Sequence, residues 1–217
     1  MAQKLKRGLF VTFEGPEGSG KSTHSQRLAG ELMSDGYDVV HTAEPGGTPL
    51  GRGIRDMLLE KQDVRLGSRA ELFLFEADRA QHVEEAITPA LEARKIVLCD
   101  RFNTATFAYQ GYGLGMDMDF VERIDEAATG GLQPDLTILM DVDVETGLAR
   151  AGAEHPADRM EKRNIRFHKK VRQGYLDLAK RSPDRIKVVK VREKIDETYS
   201  FVKEEVYALI ERYKRAE

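Results

Sequence analysis

Apolar residues gather in five short runs along the chain: Leu9–Phe13, Val39–Thr42, Ile96–Cys99, Leu136–Met140 and Ile186–Val191. The first four hold few polar residues inside them, the pattern of strands covered on both faces. Between the runs the apolar spacing changes to three and four. Lys21–Met33 places Leu28 and Leu32 at i, i+4, and Ala70–His82 puts Leu72, Phe75 and Arg79 on one face. Ile195, Tyr199, Val202, Val206, Leu209 and Tyr213 trace an amphipathic C-terminal helix. Strands alternating with helices predict βαβ units and an α/β fold built on a parallel sheet. No repeat and no Pro/Gly/Ser linker divides the chain, so one domain over 1–217 is expected. The interval 151–158, Ala-Gly-Ala-Glu-His-Pro-Ala-Asp, predicts a mobile loop.

Composition narrows the class. The 217 residues are 41% hydrophobic and 33% charged, and the formal net charge is −3, which excludes a low-complexity chain and a binder of nucleic acid by bulk charge. Any phosphate binding must come from local sites. Cys99 is the single cysteine, so neither an intrachain disulfide nor a cysteine-based metal site is expected. After the basic start Met1-Ala2-Gln3-Lys4, the apolar run Leu9–Phe13 is far too short for a signal segment, and no stretch reaches the roughly 18 apolar residues of a membrane span. A soluble cytoplasmic protein with no membrane and no nucleic-acid partner is the expectation.

The strongest chemical signal is Gly15-Pro16-Glu17-Gly18-Ser19-Gly20-Lys21-Ser22, followed by Thr23. It fits the phosphate-loop pattern G-x-x-x-x-G-K-[ST], with a strand pattern before it and a helix pattern after it. Glycines at 15, 18 and 20 permit a tight turn with inward N–H groups, which cradle phosphate oxygens together with the helix N-terminus. Lys21 is expected on the β/γ-phosphates and the Ser22 hydroxyl on Mg²⁺. Ile96–Cys99 ends in Asp100, a carboxylate at the C-terminal end of a strand, where it can hold the same Mg²⁺. Arg101 follows, and its planar fork suits a second phosphate group.

Beyond the phosphate loop, four segments carry a resemblance: Glu44-Pro45-Gly46-Gly47-Thr48, Leu74-Phe75-Glu76-Ala77-Asp78-Arg79-Ala80-Gln81-His82, Asp100-Arg101-Phe102 leading to Ala108-Tyr109-Gln110-Gly111-Tyr112, and Pro134-Asp135-Leu136-Thr137. In this order and spacing the chain resembles thymidylate kinase over nearly its whole length. The resemblance implies a P-loop NTPase-type three-layer sandwich: a five-stranded parallel sheet flanked by helices, with a mobile lid, here within about 150–166. It implies transfer of the γ-phosphate of ATP to dTMP, giving dTDP, and commonly a homodimer. It assigns Phe75 to stacking on thymine and Arg79 to a base carbonyl, although spacing alone reads a core Phe and a surface Arg. It places Thr106 and Gln110 at the base edge, Tyr109 beside the sugar, Arg55 and Arg101 near the acceptor phosphate, and Glu17 near the 3′-hydroxyl.

An acceptor that is already an ionised phosphate needs neutralisation and alignment more than a base. No catalytic role is therefore expected for His24, His41, His82, His155 or His168. The expected catalytic cations are Lys21, Arg101 and the lid arginines Arg159 and Arg150, with Arg163 and Arg166 behind them. Three departures stand out. Residues 151–157 hold no Lys or Arg, Ala43 stands where the family often has Arg, and Asn103-Thr104-Ala105 replaces an Asp-Ser type of sequence. The last two bear on acceptor choice, toward tolerance of dUMP. Two alternatives stay open: a P-loop kinase for a related nucleoside or monophosphate, and a regulatory nucleotide-binding module. The chain has no guanine-reading N-K-x-D element, Asn103 and Asn164 being its nearest asparagines. Phe167 and Tyr175, in the Lys/Arg-rich segment, fall at apolar positions and read as core rather than as base-stacking platforms.

Overall fold

A computed structural model describes residues 5–60, 65–154 and 156–215. The N-terminal Met1-Ala2-Gln3-Lys4 and His155 lie outside the described residues. Five parallel strands form one sheet: β1 (Leu9–Glu14), β2 (Val39–Ala43), β3 (Ile96–Asp100), β4 (Leu136–Asp141) and β5 (Ile186–Lys190), in the spatial order β2-β3-β1-β4-β5. All five apolar runs are strands. β1 and β4 are buried along their whole length because helices cover both faces, whereas β5, at the sheet's edge, buries Ile186 and Val189 and leaves Val188 and Lys190 exposed.

The period of two along β1 sorts its side chains. Leu9, Val11 and Phe13 enter a core with Leu28 and Leu32 of α1 (Lys21–Ser34) and Val202, Val206 and Leu209 of α9 (Ile195–Arg215). Phe10 faces the opposite way, against Val97, Cys99, Val83 and Ile87. By the same alternation Thr12 and Glu14 turn to that second face, where Thr12 and Thr137 share a hydroxyl hydrogen bond of 2.9 Å.

Further α-helices flank the sheet. They are α2 (Pro49–Arg55), α3 (Ser68–His82), α4 (Thr88–Glu92), α5 (Asn103–Thr106), α6 (Met118–Thr129), α7 (Val144–Glu154) and α8 (Ile165–Arg181). α5 continues as a π-helical segment, Phe107–Gly113. The interval expected as a loop needs correction: 151–154 complete α7. Val144, Leu148 and Ala151 recur at helical spacing, Ala and Glu favour the helix, and the pattern stops ahead of Pro156. Phe167 and Tyr175 are core residues of α8, packed with Tyr109 and Leu139.

Candidate active site

The site is assembled by strand register. Phe13 of β1 lies beside Asp100 of β3, so the phosphate loop after β1 and the Asp100-Arg101 turn leave the sheet side by side. Gly15, Gly18 and Gly20 all have positive φ, and Gly20 is the N-cap of α1 with no side-chain cap, which leaves the first N–H groups of α1 directed at the loop's interior. Space requires glycine as well. A Cβ on Gly18 would stand 2.0 Å from the Gly147 carbonyl oxygen, and one on Gly147 2.3 Å from that of Glu17. The first turn of α7 thus packs backbone to backbone on the loop.

Lys21 is buried, and its ammonium donates to the Pro16 carbonyl at 2.8 Å and to Ser19 Oγ at 3.3 Å. Burial and then the charge of Arg101 press its pKa down to about 8, against the pull of Glu17, Asp100 and Glu14. Ser22 Oγ hydrogen-bonds Asp100 Oδ2, so the two expected metal ligands form one hard, all-oxygen pair. The donor set fits Mg²⁺.

Arg101 has φ +70, a left-handed conformation that a side chain tolerates poorly. Hydrogen bonds hold the turn: Arg101 N–H to Phe13 O at 2.9 Å and Phe102 N–H to Glu14 Oε1 at 2.8 Å. The guanidinium is aimed back over the loop, at 2.6 Å from Glu17 and 3.3–3.4 Å from the Gly15 carbonyl and the Tyr109 and Tyr175 hydroxyls. Tyr109 also donates to Glu17 Oε1 at 2.5 Å. Burial works against ionisation of Glu17, but Arg101 and Lys21 outweigh it and hold the carboxyl below its usual value.

A second group surrounds Arg79. The spacing-based reading of a surface Arg is overturned: Arg79 is only 2% exposed, while Phe75 is half-buried. Arg79 donates Nε to Glu44 at 2.9 Å and Nη1 to Glu76 at 2.5 Å, Thr106 Oγ1 at 2.8 Å and Asp125 at 3.4 Å. Burial lowers its pKa, yet Glu76, Glu44 and Asp125 more than compensate, so the net shift is upward. Glu76 and Asp78 are both pushed up to about 6, chiefly by burial. His82 is held by Glu44 and Thr42, and His41 by Ser25. The Glu44-Pro45 peptide is cis.

One cavity of about 580 Å³ joins the two groups. Glu17–Thr23, Arg55, Phe75, Arg79, Asp100, Arg101, Thr106, Tyr109, Gln110 and Arg150 all reach it. Gly15 and Pro16, at the start of the loop, are not among the residues that line the cavity. Arg159 also is not among the lining residues, although its neighbours Asp158, Met160 and Glu161 are; it is half-buried, with its N–H on the Leu59 carbonyl at 3.4 Å. Arg163 is turned to buried Glu71 at 2.5 Å, and Arg166 is exposed. Three residues escaped the sequence reading. Arg192, just past the C-terminal end of β5, lines the cavity; no motif marks it, only its place after the last apolar run. Glu14 and Glu71 are buried carboxylates whose partners are distant in the chain.

Sequence and fold both match thymidylate kinases. The family model described as thymidylate kinase matches residues 13–202. A thymidylate kinase of Desulfovibrio desulfuricans is 50% identical over 188 residues, covering 83% of this chain and 87% of the relative. One from Halothermothrix orenii is 52% identical over 176 residues, covering 80% and 84%. A crystal structure of thymidylate kinase from Ehrlichia chaffeensis superposes with a TM-score of 0.75 at 35% identity, over 92% of this chain and 98% of that one. With the phosphate loop, the Asp100-Arg101 turn and the Phe75–Arg79 face meeting in one cavity and matches of this extent, the chain belongs to the thymidylate kinase family.

Proposed function

We propose that this protein transfers the γ-phosphoryl group of ATP to dTMP, giving ADP and dTDP. The observation that carries the reading is one cavity holding two unlike ends. One end offers backbone N–H groups, Lys21 and Arg101 for phosphates, and the other offers Phe75, Arg79, Thr106 and Gln110 for a flat base with polar edges.

ATP's phosphates occupy the loop Gly15–Thr23, with Lys21 neutralising the β/γ oxygens. Ser22 and Asp100 would hold Mg²⁺, which would supply further charge neutralisation. Arg101 and Arg55 receive the acceptor phosphate, Phe75 stacks on thymine, and Tyr109 with Glu17 lies beside the sugar. Chemistry then rests on alignment and charge, with no side chain required to remove a proton from the acceptor. In the lid, 150–166, Arg150 reaches the cavity and is the first candidate for the donor phosphates; Arg159 would have to move to join it. A homodimer working in the cytoplasm as a single kinase domain completes the reading. The test is Lys21→Ala in an assay of dTMP-stimulated ADP release. Turnover should fall by at least about 100-fold with the thermal midpoint preserved, and retention of wild-type turnover would contradict the assignment.

A further inference from the structure

Glu71 belongs to no motif, yet it sits on the face of α3 that carries Phe75 and Arg79, one and two turns earlier. It is only 1% exposed. Its two oxygens have separate partners: Oε1 accepts from Gln110 Nε2 at 3.0 Å, and Oε2 from Arg163 Nη2 at 2.5 Å. Arg163 comes from the lid segment and lies over the Phe167 ring, its guanidinium carbon 4.8 Å from the ring centre.

A carboxylate paired with arginine offers only acceptors. Gln110 must therefore turn its NH₂ toward Glu71, which fixes the orientation of the amide. Gln110 lines the cavity, and among the described residues no hydrogen bond occupies its Oε1. Arg79, on the same wall, can only donate, and among the described residues its Nη2 has no hydrogen bond. The wall thus presents an acceptor and a donor. A thymine or uracil edge, with N3–H beside O4, complements that pair. Cytosine inverts it, with a bare N3 beside an amino group.

We propose that Glu71 is a positioning residue for base selection: it locks Gln110 with its oxygen toward the acceptor base, and Arg163 ties that lock to the lid segment. The inference rests on the dTMP kinase reading. It excludes an inverted hydrogen-bonding edge through geometry set away from the cavity surface.

The test is steady-state turnover of dTMP and dCMP with ATP·Mg²⁺ by the wild type, E71Q, Q110E and the swap E71Q/Q110E. In E71Q the amide at 71 can donate or accept, so Gln110 is released to flip. The KM for dTMP should rise about tenfold with kcat within about twofold, and the dTMP-to-dCMP ratio of kcat/KM should fall about tenfold. Q110E sets carboxylate against carboxylate and should raise the KM for dTMP by about 100-fold. The swap restores a donor facing an acceptor and still leaves an oxygen toward the base, so it should recover most of that loss. Unchanged selectivity in E71Q, or a swap no better than Q110E, overturns the inference. If E71Q does not fold, the swap measured against Q110E decides alone. A wild type that does not turn over dTMP would instead refute the function on which the inference rests.

Discussion

Glu14 shows how one side chain can organise a site it does not line. At the end of β1 it accepts from the Phe102 N–H at 2.8 Å, the Ala105 N–H at 3.3 Å and the Tyr175 hydroxyl at 2.9 Å, joining the strand, the Arg101 turn and α8. Burial pushes its pKa up to about 7, against the pull of Arg101. The native state keeps this proton up to about pH 7, whereas an unfolded Glu releases it near 4.5. Between those values the unfolded state binds fewer protons, so Glu14's contribution to stability falls as pH rises and is level above them. Glu14→Gln keeps the shape, with Oε1 still accepting both N–H groups, and removes the titration. Wild-type stability relative to this variant should therefore drop by about 3 kcal/mol from pH 4.5 to 7, read by urea unfolding at fixed temperature. A flat difference would refute the buried, protonated carboxyl.

Between elements, the contact that matters most is backbone on backbone, where α7 meets the phosphate loop. Gly147→Ala places a methyl carbon 2.3 Å from the Glu17 carbonyl, so either the loop or the helix must yield. It should cost about 1–3 kcal/mol and raise the KM for ATP, since the displaced loop surrounds the donor phosphates, and the KM for dTMP with it, since Glu17 lies beside the acceptor sugar. An unchanged KM for ATP would contradict this placement. Elements were also where the sequence was most readable. Each apolar run became a strand because burial on both faces leaves polar residues no place inside it, and Lys21–Met33 became α1 because Leu28 and Leu32 share the face that meets the sheet. Side-chain networks were not readable in this way. The partners of Arg79 come from β2's end, α3, α5 and α6, and Glu71 meets Gln110 and Arg163 across 39 and 92 positions. No local period encodes such distances. Phe75 and Arg79 gained their expected roles from resemblance, and the burial of Arg79 reversed what spacing implied. Residues 151–154 were misread because a Gly between alanines counts as a turn signal, while the apolar spacing from Val144 continues the helix.

At the scale of the whole molecule, the described residues contain no helix long and apolar enough to cross a membrane. Large apolar side chains are exposed at several places among the described residues. Phe73 on α3 is 48% exposed, with its ring 6.4 Å from that of Phe120 on α6. These outward faces suit the proposed homodimer, which would cover them without obstructing the cavity face of α3. Wild type should sediment as a dimer, and Phe73→Glu as a monomer that keeps its fold. A monomeric wild type would remove the dimer from the proposal.

The central claim is the pairing of ATP with one acceptor in this cavity. It is tested most directly by ADP release from ATP·Mg²⁺ with dTMP, dUMP, dCMP, AMP and thymidine offered in parallel. The structure's donor-and-acceptor wall and phosphate-facing arginines predict strong turnover with dTMP, turnover with dUMP as well, little with dCMP and none with thymidine. Turnover with thymidine or AMP in place of dTMP, or no acceptor-stimulated release despite ATP binding, would contradict it.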